Sequence, residues 1–549
     1  MSFSGILIAN RAEIAIRISR AASALGIRSV GIFSADDKTN LHVAMTDEVI
    51  ELEGSGPKAY LDLEQVVEAA KKSGCDAIHP GYGFLSERSE LAERCRAEGI
   101  TFIGPRPEHL ELFGNKSDAK VAAKSARVPT LRGTDEPAGL EDAINFFDEM
   151  PHGIVIKAVA GGGGRGTRIV TKRSDIPEAF QLCQSEAMTS FGNDDVYLEE
   201  FMALARHIEV QVLGDQSGNI VHLYERECSV QRRNQKILEI APAPNLSNWL
   251  REELISSSMR FARAHRYESL GTFEFLVDMN ASKPKYAFIE TNARLQVEHT
   301  VTEEVTGFDL VKAQIQIAAG ATLSELGFSS DAIPEPRGFA IQSRVNLETL
   351  QSNGSVLPAA GSLAVYEVPN GPGVRTDGFG YSGYQTSNAF DSLLAKVIVH
   401  SNSRGLEDVS KKTIRALTEF RITGVKNNLA FLKNILAHPD FVGGRVHTRW
   451  VEENSDALSG EWAPDTNLVN HFDTVNSAEG LAGAKVDTSD PMALFEYDRE
   501  SKSRTGLYGL GSEGESGNSP EGWFGVASPI QGTVVSIEAE VGEEIAAGQ

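Results

Sequence analysis

"FIETNARLQVE", residues 288–298, is the stretch on which the fold turns. If it is extended, alternate side chains share a face. Glu290, Asn292, Arg294, Gln296 and Glu298 then line one side, and Ile289, Thr291, Ala293, Leu295 and Val297 the other. An ordinary amphipathic strand presents mixed Lys, Glu, Ser and Thr to water. Here the polar side combines two carboxylates, two amides and one guanidinium. Just upstream, "GTFEFLV" (271–277) sets Glu274 between Phe273 and Phe275, so it points away from both. Antiparallel pairing through a turn at 278–285 would bring Glu274 beside Glu290. Two carboxylates and the Asn292 oxygen facing one space suit Mg2+, a hard cation that prefers oxygen ligands and shares them with substrate phosphates. Such ions bridge the phosphates of ATP and neutralise charge as a phosphoryl group moves.

A second stretch, "KAVAGGGGRG" (157–166), bears on the same chemistry. The apolar run "GIVIKAVA" before its glycines and "TRIV" after them read as two strands, which makes a hairpin with an oversized tip. Glycine amides can approach an anion closely, and Lys157 and Arg165 add positive charge. A lone glycine run reads most simply as a mobile tip. It is not a Walker loop, which needs a Gly-Lys-Ser/Thr ending and a following helix.

The chain has 549 residues, enough for roughly three to five domains. Lysines and arginines number 52 against 76 acidic residues, a net charge of -24, which disfavours nucleic acid as a partner. An anionic substrate must therefore be met by a local basic pocket. Cys75, Cys95, Cys183 and Cys228 are scattered without zinc or disulfide spacing, which fits a reducing cytoplasm. The start lacks the features of a signal peptide, and no apolar run is long enough to span a bilayer.

Alternating apolar runs and amphipathic stretches predict a doubly wound parallel sheet over 1–112, although its first turn, "ANRAE", lacks the dinucleotide fingerprint. Residues 113–203 read as a small α+β unit that holds the glycine hairpin, with about 130–203 as its lid, inside a domain that runs over 113–330. Strands dominate from 204, with hairpins at 207–227 and around 271–299 and helical stretches at 308–320 and 405–437. Residues 331–452 read as a mostly β subdomain, 453–523 as a partly ordered connector, and 524–549 as short strands with glycine turns. The fold class is α/β and α+β.

Together these stretches resemble the ATP-grasp superfamily, and longer ones narrow the resemblance to biotin carboxylase. They are "LIANRAEIAIRI", "HPGYGFLSE", "KAVAGGGGRG", "ECSVQRRNQK", "GTFEFL", "FIETNARLQVEH", "VTGFDLVKAQI" and "FDSLLAKVIV", in family order across about 5–450. The resemblance implies that ATP and bicarbonate form carboxyphosphate and that the carboxyl group passes to N1′ of biotin. It assigns Gly161, Gly162, Gly163 and Gly164 to a lid over the phosphates, and Lys116 and Lys157 to phosphate binding. Glu199, Met202, His207 and the Asn234 position fall to the nucleotide site. Glu274 and Glu290, with Asn292 beside them, fall to the metal, Mg2+ or Mn2+. Lys236, Arg294, Gln296 and Val297 match the bicarbonate pocket, a fit for a small anion that needs a guanidinium, an ammonium and amide donors. Glu298 matches the general base, placed two residues along the strand from Gln296, and Arg344 the guanidinium that stabilises the biotin enolate.

Two positions depart from the family's pattern. Ala12 stands where the family reads glycine; on a helical backbone it should have little effect. Asn234 stands where the family reads histidine, which puts one nucleotide contact in doubt. The tail "SPIQGTVVSI…VGEEIAAGQ" resembles the opening of a biotinyl carrier domain and stops before an attachment lysine, as a truncated fragment would. A carrier starting near 524 favours the biotin-containing chain of an acyl-CoA carboxylase over pyruvate carboxylase, where the transferase comes first; urea is a further possible acceptor in this family. The implied partners are bicarbonate, a biotinylated carrier domain, a carboxyltransferase and a second copy of the chain as a homo-oligomer, in the cytoplasm, with no nucleic acid and no membrane. The alternatives are another ATP-grasp ligase of the carbamoyl-phosphate type and a nucleotide-binding chain that no longer turns over.

Overall fold

The structure, a computed structural model, describes residues 2–462 apart from 135, 151, 160–165, 279–284, 329–332, 334, 352–353 and 404. The glycines expected over the phosphates, Gly161–Gly164, and the tail expected to open a carrier domain lie outside the described residues.

Strand β1 (Gly5–Ile8) decides how the first sheet is covered, because its side chains alternate between faces. Ile6 and Ile8 pack with Ile14 and Ile18 of the helix Ala12–Ala24. Leu7 packs on the opposite side with Val66 and Val67 of the helix Leu63–Lys72. With both faces buried the strand must be apolar throughout. It joins β2 (Arg28–Phe33), β3 (Glu48–Glu51), β4 (Ala77–His79) and β5 (Thr101–Phe102) in the parallel order β3-β2-β1-β4-β5. This is the doubly wound sheet the sequence predicts. The half-exposed edge strand β3 escaped that reading because it carries no apolar run.

The glycine hairpin is also as expected: β6 (Ile154–Ala158) pairs antiparallel with β7 (Thr167–Val170), and on its other side with β8 (Val196–Glu200). The helix Ile176–Phe191 closes a small core on this sheet through Phe180 and Cys183.

The remaining long strands build one antiparallel sheet. β9 (Ala205–Gly214), β10 (Ile220–Arg232), β11 (Gln235–Ala241), β12 (Ser269–Asp278) and β13 (Lys285–Asn292) are followed by β14 (Phe339–Asn346). Two short pairs, β15 (Glu348–Leu350) with β16 (Val356–Pro358) and β17 (Val365–Glu367) with β20 (Arg421–Thr423), flank β18 (Val374–Gly378) and β19 (Leu393–Ser401). The order is β13-β12-β9-β10-β11-β14-β19-β18, so the sheet runs on across the boundary read at 330/331. The helical stretch expected at 405–437 is two helices, Leu406–Glu419 and Leu429–Ala437, with β20 between them. Helical turns continue to Leu458, which is buried in the core beneath β14 and β19. Among the described residues no helix is long and apolar enough to cross a membrane.

Two expectations need correction. The stretch 288–298 is not extended to its end: β13 stops at Asn292, and Glu298 sits at the N-terminus of the helix His299–Thr306. The backbone winds into that helix because the Gln296 carbonyl accepts from the His299 amide at 3.3 Å and from its ring Nδ1 at 2.7 Å. Ala12, expected on helical backbone, has φ +56°, in the left-handed region. There a Cβ costs about 1–2 kcal/mol. Its methyl is buried in the core that also holds Ile16 and Leu394, worth about 0.8 kcal/mol, and glycine would add unfolded-state entropy of about 0.4–1 kcal/mol. Strain and packing therefore nearly cancel. Ala12→Gly should shift the free energy of urea unfolding by less than about 1 kcal/mol, whereas Ala12→Val, β-branched at positive φ, should destabilise by about 2 kcal/mol or more.

Candidate active site

The sheet and the first domain enclose a cleft of about 1260 Å³. At its floor the Lys236 ammonium, reaching from β11, meets three carboxylates: Glu209 Oε2 at 2.6 Å, Glu274 Oε1 at 3.1 Å and Glu298 Oε1 at 2.6 Å. Burial alone would discharge the lysine, but Glu209, Glu274 and Glu298 reverse that and push its pKa well above the usual range. Glu298 is completed by Arg344 of β14, whose Nη2 donates to Glu298 Oε2 at 3.1 Å while its Nε donates to Glu239 Oε1 at 2.6 Å. Burial raises the Glu298 carboxyl pKa, yet Lys236, Arg344 and Arg226 outweigh it and hold the group below the usual carboxylate range. Glu298 is thus an ionised carboxylate clamped between two cations.

Glu274 stands opposite Glu290, the register expected from the sequence, at a bulge where the pairing slips before Phe275. Phe273 and Phe275 fix the strand's other face against Phe261 and Phe288. Glu274 Oε1 accepts from Asn292 Nδ2 and Gln296 Nε2, each at 2.7 Å, and Oε2 pairs with His207 Nε2 at 2.6 Å. Burial would lower the His207 pKa, but Glu274 raises it on balance. Glu290 pairs with Lys116 at 3.1 Å. Arg294, one-fifth exposed, donates to Asn292 Oδ1 at 2.9 Å and lies 3.1 Å from Glu87. Among the described residues the oxygens of Glu274, Glu290 and Asn292 are met by ammonium, imidazole, amide and guanidinium donors, and such an oxygen set fits a hard divalent cation.

Beneath these residues lies a charge layer that the sequence reading missed. Arg226, wholly buried, donates to Glu209 Oε1 at 2.5 Å and to Gln296 Oε1 at 2.8 Å, among other contacts. Gln296 therefore has one end of its amide on Arg226 and the other on Glu274. Glu209, Arg226 and Glu239 are all buried. The rule applied to 288–298 would have found part of this set, because in "HIEVQ" (207–211) His207, Glu209 and Gln211 share a face.

At the far end of the cleft Glu199 holds both Lys157 and Lys120 in short ion pairs. Lys120 was not read from the sequence. Met202 packs with Leu131 and Ala287 along the same wall. Asn234 forms a tight two-residue turn with Arg233 between β10 and β11, at φ +63° and +46° respectively. Asparagine is favoured in such a turn, which gives this departure a local reason. The structure therefore gathers Lys116, Lys157, Glu199, Met202, His207, Asn234, Lys236, Glu274, Glu290, Asn292, Arg294, Gln296, Val297, Glu298 and Arg344 around one cleft.

Three family models match in series: "Biotin carboxylase, N-terminal domain" over 2–110, "Carbamoyl-phosphate synthase L chain, ATP binding domain" over 115–326 and "Biotin carboxylase C-terminal domain" over 342–453. Mitochondrial pyruvate carboxylase of Mus musculus is 45% identical over 455 residues, 82% of this chain but 38% of that protein. The chain thus spans well under half the length of this curated relative. The biotin carboxylase domain dimer of Hydrogenobacter thermophilus 2-oxoglutarate carboxylase, solved with MgADP, ADP and bicarbonate, is 40% identical with a TM-score of 0.79, covering 84% of this chain and 100% of that one. A single-chain, multi-domain long-chain acyl-CoA carboxylase is 41% identical with a TM-score of 0.73, covering 84% and 44%.

The Glu199 cluster generates a pH-dependent expectation. Burial raises its carboxyl pKa, but Lys157 and Lys120 pull it down to about 2, from an ordinary 4.5. A folded-state pKa below the unfolded one gives stability that is complete above about pH 4.5 and lost as pH falls towards 2. Glu199→Gln should be less stable than wild type by about 2–3 kcal/mol near neutrality. Urea unfolding from pH 6 down to the lowest pH at which both proteins fold should show that gap narrowing below pH 4.5.

Proposed function

The chain belongs to the biotin carboxylase family of ATP-dependent carboxylating ligases, and on that premise we propose that it carboxylates biotin with bicarbonate and ATP, the first half-reaction of a biotin-dependent carboxylase. The observation that carries the reading is Glu298, held ionised between Lys236 and Arg344 in the cleft that Arg294 also lines. An ionised carboxylate is the form a base needs. Its cation contacts keep it weak until an anion arrives to share them.

Bicarbonate would take its place on Lys236, Arg294, Gln296 and the Val297 backbone, with its hydroxyl towards Glu298. Loss of that proton to Glu298 makes the bicarbonate oxygen a nucleophile for the γ-phosphorus. ADP leaves and carboxyphosphate forms. The bond from its carboxyl carbon to the phosphate oxygen then breaks, the departing phosphate takes up the N1′ proton of biotin, and N1′ bonds to that carbon. Arg344 faces the developing ureido oxyanion, where a fixed guanidinium acts at the moment charge appears. Lys116, Lys157, the Gly161–Gly164 lid, Glu199, Met202, His207 and Asn234 bind the nucleotide. Glu274, Glu290 and Asn292 would hold Mg2+ or Mn2+, which supplies positive charge to the ATP phosphates when bound.

The partners in this reading are a biotinylated carrier domain, a carboxyltransferase domain or subunit, and a second copy of the chain. For the final acceptor we infer an acyl-CoA, because the stretch 524–549 resembles a carrier that follows the carboxylase region without a transferase between them. The likeness to pyruvate carboxylase supports a second reading, a 2-oxo acid. With the carrier and transferase that co-purify with the chain from its own cells, ATP cleavage should rise with an acyl-CoA and not with pyruvate; the reverse selects the second reading.

Steady-state ATP hydrolysis tests the main proposal. Free biotin should stimulate cleavage only when bicarbonate is present, and Glu298→Gln should lower that stimulated rate by about 100-fold or more. Chelation of divalent ions should abolish it, and Glu290→Gln should raise the Mg2+ concentration needed for half-maximal rate. Cleavage indifferent to both bicarbonate and biotin would favour another ATP-grasp ligase.

A further inference from the structure

The segment that carries the base is not part of the sheet. Residues 293–298 follow the end of β13 and precede a helix, so no strand ladder fixes them. Side chains must do it. Gln296 is held by Arg226 and Glu274, and Glu298 by Lys236 and Arg344. Val297, between them, has its carbonyl 3.1 Å from the ammonium of Lys396, which donates to it.

Lys396 has no place in the reaction as read above, yet its side chain is fully buried on β19. Leaving an ammonium there unpaired would cost several kcal/mol. Its counter-charge is Glu13 of the first helix, with Nζ 3.0 Å from Glu13 Oε2. The other Glu13 oxygen accepts a short hydrogen bond from the Tyr82 hydroxyl, and Tyr82 lines the cleft. On the sheet, Lys396 stands directly between Arg344 on β14 and Asp377 on β18. Cross-strand neighbours share a face, so Arg344 and Lys396 rise side by side. Arg344 grips the Glu298 carboxylate, and Lys396 grips the carbonyl one residue before it.

We propose that Lys396 is a positioning residue: its ammonium sets the Val297–Glu298 backbone against the bicarbonate pocket, and Glu13 serves only as its buried counter-charge. The bicarbonate role rests on the function proposed above; the positioning of the backbone does not.

The test uses the 549-residue chain with Glu13→Gln alone and with Lys396→Met/Glu13→Gln. Removing both charges avoids stranding either one, so the double variant should keep a Tm near wild type. The single variant retains the donor to Val297, and its KM for bicarbonate should stay within about twofold of wild type. The double variant should lose about tenfold or more in kcat/KM for bicarbonate, with KM for MgATP unchanged, because a displaced backbone misplaces the base. Amide hydrogen exchange over 293–300 should quicken in the double variant and not in the single one. If the double variant does not fold, Lys396→Gln, whose amide falls one bond short of the carbonyl, takes its place under the same criteria. A folded variant lacking the ammonium, with wild-type bicarbonate kinetics and wild-type exchange over 293–300, overturns the proposal. Wild-type protein without bicarbonate-dependent cleavage counts against the proposed function instead, and the exchange result alone then decides the role of Lys396.

Discussion

The structure depends on one ammonium at the floor of the cleft shared by three buried carboxylates. Lys236 keeps its charge at the base of the cleft because Glu209, Glu274 and Glu298 surround it, and it in turn holds the Glu274 and Glu298 carboxyls below the usual carboxylate range. Charges removed from water are stable only when every partner is present and well placed. This constraint reaches across the fold, because the participants sit on β9, β10, β11, β12 and β14 and on the start of a helix. The single sheet that runs through both the central and the C-terminal parts of the chain is what brings them into register.

The arrangement also separates tasks within one cleft. Glu199 with Lys120 and Lys157 gathers positive charge at one end, and Glu274 with Glu290 places oxygen donors in the middle. Glu298 and Arg344 close the other end beside the first domain, whose Tyr82 and Arg11 line the same space. Arg11 itself is locked to Asp37 at 2.5 Å and lies 3.7 Å over the Phe390 ring, so the first domain and the connection between β18 and β19 meet at a cation–aromatic contact.

Much of this was legible in the sequence where the period-2 rule survives burial. Glu274 between two phenylalanines, and Glu290 two residues before Asn292, specify one face and one register. Glu298 was legible as a residue but not as a position, because the chain leaves the strand at Asn292 and only the His299 contacts show why. Arg226 and Glu239 were illegible, since a buried charge looks like an exposed one until its partner is seen. The helix Asn248–Ala264 was overlooked although Ser247 caps it through the Leu250 amide and Leu250, Leu254 and Phe261 follow a helical spacing. At Ala12 the sequence offered a glycine-like site filled by alanine, and only the backbone angle shows that strain and packing offset each other.

Transfer of an oxygen atom tests the central claim most directly. If Glu298 deprotonates bicarbonate for attack on the γ-phosphate, 18O-labelled bicarbonate must leave label in the inorganic phosphate formed during biotin-dependent turnover, in a single-turnover experiment short enough to outrun exchange with water. Label in phosphate at close to one oxygen per turnover is the predicted result. Unlabelled phosphate under the same conditions would mean that water, not bicarbonate, is the nucleophile, and would contradict the role assigned to the Lys236–Glu298–Arg344 cluster.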